Sequence, residues 1–104
     1  MELFMIARLK AKHDCQIALE NELKALSTAT HSEPGCMLYA LHRDVNDPSL
    51  FIFIERFVSK EALEAHFASY HFMKHFAVIS SLIANEPEII YLDSLGEGKK
   101  GRLF

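Results

Sequence analysis

The chain has 104 residues, the size of one domain with a single hydrophobic core and no internal boundary. Half of it is apolar, with eight Phe and three Tyr but no Trp, which is rich for so short a chain, so part of the apolar surface is expected to meet a partner. A formal net charge of -3, with Lys99, Lys100 and Arg102 as the basic cluster, gives no counterion-release drive toward a phosphate backbone, which excludes nucleic acid as a partner class.

The N-terminal apolar run is interrupted by Arg8 and Lys10, so it reads as neither a signal peptide nor a membrane span, and a cytoplasmic location with no membrane partner is expected. Leu3 to Ala11 is β-compatible and ends at His13-Asp14, with Asp14 expected to cap the helix that follows. From Cys15 to Thr30, the residues Leu19, Leu23, Leu26 and Thr30 recur at spacings of three and four, which predicts a helix packed by one face. Ser32-Glu33-Pro34-Gly35 is a stop and a turn, because Pro cannot continue a helix and Gly tolerates the reversal.

Cys36 to Arg43 and Leu50 to Val58 are strand-like runs around the turn residues Asp44 to Ser49, which predicts a hairpin. Ser59 is the expected N-cap of a second helix running from Lys60 to about Ala84, with an irregularity near Ser69-Tyr70. Asn85-Glu86-Pro87 ends it, and Glu88 to Asp93 supplies the last strand. Cys15 and Cys36 lack C-x-x-C spacing and read as reduced packing residues.

The order β-α-β-β-α-β predicts an α+β fold of the ferredoxin-like kind, a four-stranded antiparallel sheet with both helices on one face. Residues 1–94 form the domain, and 95–104 form a C-terminal tail, a candidate dimer arm. An ordinary half-covered sheet alternates apolar with polar, yet Phe51-Ile52-Phe53-Ile54, Leu3-Phe4-Met5-Ile6 and Ile89-Ile90-Tyr91-Leu92 are apolar on both sides. The second face is expected to meet the same sheet of a second copy, giving a homodimer.

Glu33-Pro34-Gly35-Cys36, Tyr39, His42-Arg43-Asp44, Asp47-Pro48, Phe53, Glu55 and Ser59-x-Glu61-Ala62-Leu63-x-x-His66 resemble the antibiotic biosynthesis monooxygenase (ABM) superfamily, in particular its small quinol-monooxygenase-like members. The resemblance runs over residues 3 to 93 and is most specific from Glu33 to Phe72. It implies a dimeric α+β barrel with an apolar pocket in each subunit between sheet and helices. It also implies one of several chemistries, since members oxidise quinols or polycyclic phenols with O2 and no metal or flavin, degrade haem, or isomerise a phosphorylated sugar-like molecule. The Asn, Trp and His used by haem-degrading members fall on Ala7, His66 and Phe76, with His75 one residue from the last, which argues against haem.

Oxygen insertion without a cofactor requires a base and a dry cavity, and histidine suits the first role because its reference pKa of about 6.5 leaves much of it neutral at working pH. His66 and His71 are the candidate bases, brought inward together by the break near Ser69-Tyr70 despite a spacing of five. The plainer reading of each is a partly buried helix histidine. Glu55, between Phe53 and Phe57 on its own strand face, either orients a histidine or substrate hydroxyl or pairs with Arg43, Arg8 or backbone. His42 joins that face if the hairpin register sets it opposite Phe53. Tyr39 either donates to substrate or packs, and Phe67, Phe72 and Phe76 form a helical stripe serving core or cavity wall. His71 and His75 have i,i+4 metal spacing but lack a third ligand in the sequence, so no metal site and no cofactor are expected.

The resulting expectation is a cofactor-independent monooxygenase using O2 on a small quinol-like or polyketide-like aromatic substrate. His66, His71 and Glu55 are the catalytic candidates, and Phe53, Phe57, Phe67, Phe72, His42 and Tyr39 contact substrate. The rivals are an isomerase of a small hydroxy-ketone, phosphorylated or not, which a cationic phosphate site would favour, and a non-catalytic aromatic-metabolite binder.

Overall fold

The computed structural model describes residues 1–96, 98 and 99. Lys100 and Arg102, the greater part of the basic cluster in the tail, lie outside the described residues. The elements are β1 (Leu3–Lys10), α1 (Gln16–Thr30), β2 (Cys36–Arg43), β3 (Leu50–Phe57), α2 (Lys60–Ala68), α3 (Tyr70–Leu82) and β4 (Glu88–Leu92). The strands form one antiparallel sheet in the order β2-β3-β1-β4, so the expected α+β, ferredoxin-like arrangement is the observed one. No helix among the described residues is long and apolar enough to cross a membrane.

Strand alternation divides the sheet into two faces. Met5, Ala7 and Leu9 of β1 and Phe51, Phe53, Glu55 and Phe57 of β3 are buried on the helix side. The α1 stripe of Leu19, Leu23, Leu26 and Thr30 closes over them, joined by Leu63 of α2 and Ile79 of α3. On the opposite side, Ile6, Leu38, Ala40, Ile52 and Ile54 are only partly buried, and Ile90 is exposed.

Two local expectations change. Asp14 does not cap α1: the N-cap is Cys15, with no side-chain hydrogen bond to the helix, and Asp14 takes φ 62°, a left-handed turn conformation that Asp tolerates better than most residues. The second helix is two helices. Ser69 adopts an extended conformation, accepts from the Phe72 N–H at 3.2 Å and donates its hydroxyl to the His66 carbonyl at 2.6 Å. One side chain thereby closes the end of α2 and caps the start of α3.

Candidate active site

The sheet and helices enclose a small apolar cavity of about 50 Å³ lined by Met5, Tyr39, Phe53, Phe67 and Phe72, with Glu55 and His66 among the other lining residues. Outward it shares Phe72, Phe76, Pro87 and Ile89 with a surface groove of about 690 Å³. The closed part holds only a few waters, so an aromatic ligand must also use the outer end.

Glu55 comes to the cavity by strand alternation, opposite Met5 of β1 and Tyr39 of β2. It is 2 % exposed, and among the described residues its buried Oε1 has no hydrogen-bond partner. Burial first, and the Glu33 charge second, push its carboxyl up to about 8, so at neutral pH it is chiefly a protonated acid able to donate. Neither arginine expected as a partner reaches it: Arg43 pairs with Glu20 and Arg8 with Glu88.

His66 is 1 % exposed and ringed by aromatics, with centroids 5.0–5.3 Å from those of Tyr39, Phe57, Phe67 and Phe72. Its Nδ1 lies 2.8 Å from Glu33 Oε2, and His71 Nε2 approaches the same oxygen at 2.5 Å. An ionised carboxylate only accepts, so with Glu33 ionised His66 carries its proton on Nδ1, and among the described residues no group hydrogen-bonds its Nε2. Burial lowers the His66 pKa, against the opposing pull of Glu33, and favours that neutral form. The arrangement is a carboxylate-oriented imidazole beside an apolar cavity, suited to accepting a proton.

The remaining candidates fall in different places. Tyr39 lines the cavity, and burial raises its hydroxyl pKa, keeping it a phenol. Phe53, Phe67 and Phe72 line it as expected. Phe57 packs beneath His66 in the core rather than at the cavity wall. His42 pairs with Ile52, not Phe53, so alternation turns it to the other sheet face, where it is exposed. His71 joins His66 on Glu33 but lies off the cavity lining, and His75 instead binds Glu22 of α1 at 2.6 Å.

Glu33 is a residue of the candidate site that sequence reading missed. It stands in the turn between α1 and β2, where its N–H donates to the Thr30 carbonyl and its own carbonyl accepts from the Cys36 N–H. These bonds fix the turn from which its side chain reaches α2 and α3. Its place at the head of the Glu33-Pro34-Gly35-Cys36 run was the available signal.

The model of the family described as antibiotic biosynthesis monooxygenase matches residues 3–78. Rv0793 of Mycobacterium tuberculosis, named as a candidate monooxygenase, is 32% identical over 93 residues, covering 89% of this chain and 91% of that protein. Its solved structure superposes with a TM-score of 0.87 at 29% identity, covering 93% of this chain and 98% of that one. The crystal structure of PA3566 from Pseudomonas aeruginosa gives a TM-score of 0.86 at 36% identity, covering 91% and 95% of the two chains. With the family pattern spanning strand, turn and helix around His66 and the same fold in these relatives, the chain belongs to the antibiotic biosynthesis monooxygenase family.

Proposed function

We propose that this chain is a cofactor-independent monooxygenase that oxidises a quinol-like or polyketide-like phenol with O2, and that His66 is its base. The observation that carries the reading is a pair of buried groups in one apolar cavity. His66 is oriented by Glu33, and Glu55 presents a carboxyl oxygen that has no hydrogen-bond partner among the described residues. His66 Nε2 takes the phenolic proton, and protonated Glu55 donates to a substrate oxygen. Phe53, Phe67 and Phe72 enclose the ring in surroundings that keep water from the electron-rich phenolate. That anion passes an electron to O2; a ring C–H becomes C=O, and the second oxygen atom leaves as water. Among the described residues the cavity lining includes no Lys or Arg, which weighs against a phosphorylated substrate and its isomerisation.

Two copies are proposed to pair through the apolar sheet faces that the helices leave open. His71 contacts the same Glu33 oxygen as His66 and so acts as a positioning residue.

The test is oxygen-electrode uptake by chelator-treated protein across a panel of quinols and polyphenols, with autoxidation subtracted. The expected outcome is enzyme-dependent uptake that falls about 100-fold or more in kcat for His66→Gln. His71→Ala should fall less. Saturable binding of the same compounds without uptake would instead identify a non-catalytic binder.

A further inference from the structure

The Glu33 carboxylate does not serve His66 alone. Glu33, His66 and His71 each offer one ligand atom, and these atoms lie within 4.8 Å of one another. We propose that the three form a binding site for a divalent first-row transition ion, a property that stands whether or not the cavity is an oxygenase site.

Two imidazoles and one carboxylate are the donor set of open zinc sites and of non-haem iron sites, and they favour ions that accept nitrogen over Mg²⁺ or Ca²⁺. The spacing suits such an ion. Donors about 2.1 Å from a metal sit about 3.0–3.4 Å apart along an octahedral or tetrahedral edge, and Glu33 Oε2 is already 2.8 Å and 2.5 Å from the two ring nitrogens. Small side-chain shifts would admit the ion. The ligands come from three fixed segments: the α1–β2 turn held by its backbone bonds, His66 held by its aromatic neighbours, and His71 placed by the Ser69 junction that joins α2 to α3. Exposure grades from 1 % at His66 through 15 % at Glu33 to 27 % at His71, so an ion enters and keeps its waters on the His71 side. Among the described residues, no Lys or Arg forms an ion pair with Glu33.

Binding has a definite effect on the cavity. A metal bonded to His66 Nδ1 needs that nitrogen's lone pair, so the neutral ring must carry its proton on Nε2 instead. The ion would thus exchange a base for a hydrogen-bond donor at the cavity wall.

The experiment is titration calorimetry of untagged, chelator-treated protein with Zn²⁺, repeated with Co²⁺ and followed by its visible absorption. One ion per chain is expected, bound about tenfold or more weakly by His71→Ala and by Glu33→Gln. His75→Ala, whose native side chain is engaged with Glu22, should bind as wild type does. Long-range proton–nitrogen spectra of the wild-type imidazoles should show His66 moving its proton from Nδ1 to Nε2 as Zn²⁺ is added. Absence of saturable binding at millimolar Zn²⁺, equal affinity in His71→Ala, or an unchanged His66 tautomer would each overturn the site. None of these readouts needs a substrate, so loss of the oxygenase reading would leave the result intact.

Discussion

A carboxyl group among Met5, Tyr39 and Phe53 is costly when charged, and the Glu55 shift from 4.5 to about 8 expresses that cost as a pH dependence. Below 4.5 both folded and unfolded chains hold the proton. Between there and about 8 the unfolded chain gives it up while the folded chain keeps it, so stability falls as pH rises, by a total on the order of 5 kcal/mol. Glu55→Gln removes this dependence. The melting-temperature advantage of Glu55→Gln over wild type should therefore grow from pH 5 to pH 8, and a difference that stayed constant would mean Glu55 is solvated. His66 acts on the acid side: its lowered pKa means the unfolded chain takes up a proton near 6.5 that the folded chain resists, so its contribution is lost as pH falls below that value. Glu55 was legible because a carboxylate alternating with phenylalanines is chemically out of place. Glu33 was not, because an acidic residue beside Pro34-Gly35 looks like ordinary turn chemistry until α2 and α3 are folded against it.

The segment holding Glu33 depends on how closely β2 approaches α2. At Gly35 an added Cβ would lie 2.6 Å from the Ala62 Cβ, inside contact distance, and the Gly35 carbonyl accepts the Val58 N–H at 2.9 Å. Gly35→Ala must push α2 away from the turn, separating Glu33 from His66, and should cost about 1–3 kcal/mol in urea unfolding. Ala62→Gly in the same chain removes the facing methyl, so the double variant should be less destabilised than the two single costs added together. Simple additivity would show that the two residues do not meet. Element order, the hairpin and the Ser69 break were readable because turn residues and helical stripes are local signals. The register of β2 on β3 was not, since a one-residue change in pairing reverses every face, and the irregularity between Cys36 and Leu38 alters the count within β2 itself. The turn from Asp44 to Ser49 left that pairing open and so misplaced His42, whereas the irregularity lies farther along β2.

On the scale of the whole molecule, the helices cover one face of the sheet and leave the other with a continuous apolar centre formed by Ile6, Leu38, Ala40, Ile52, Ile54 and Ile90. Its flanks are polar and internally paired, Arg8 with Glu88 and Arg56 with Glu2, the pattern of a dry patch with a solvated rim. A second copy related by a two-fold axis presents the same apolar centre and the same paired rim, so the two sheets can meet without stranding a charge. Ile54 is paired with Ile6 on one side and Ala40 on the other, near the middle of this surface. In the proposed facing-sheet pair, Ile54→Glu would bring two carboxylates together on the apolar face, where desolvation and mutual repulsion both oppose association. Sedimentation equilibrium at micromolar concentration should give twice the chain mass for the wild type and one chain mass for Ile54→Glu. The variant should keep its circular dichroism, because residue 54 points away from the helix-side core. A wild-type monomer would end the facing-sheet arrangement, and a dimer that persists in Ile54→Glu would move the interface to another surface.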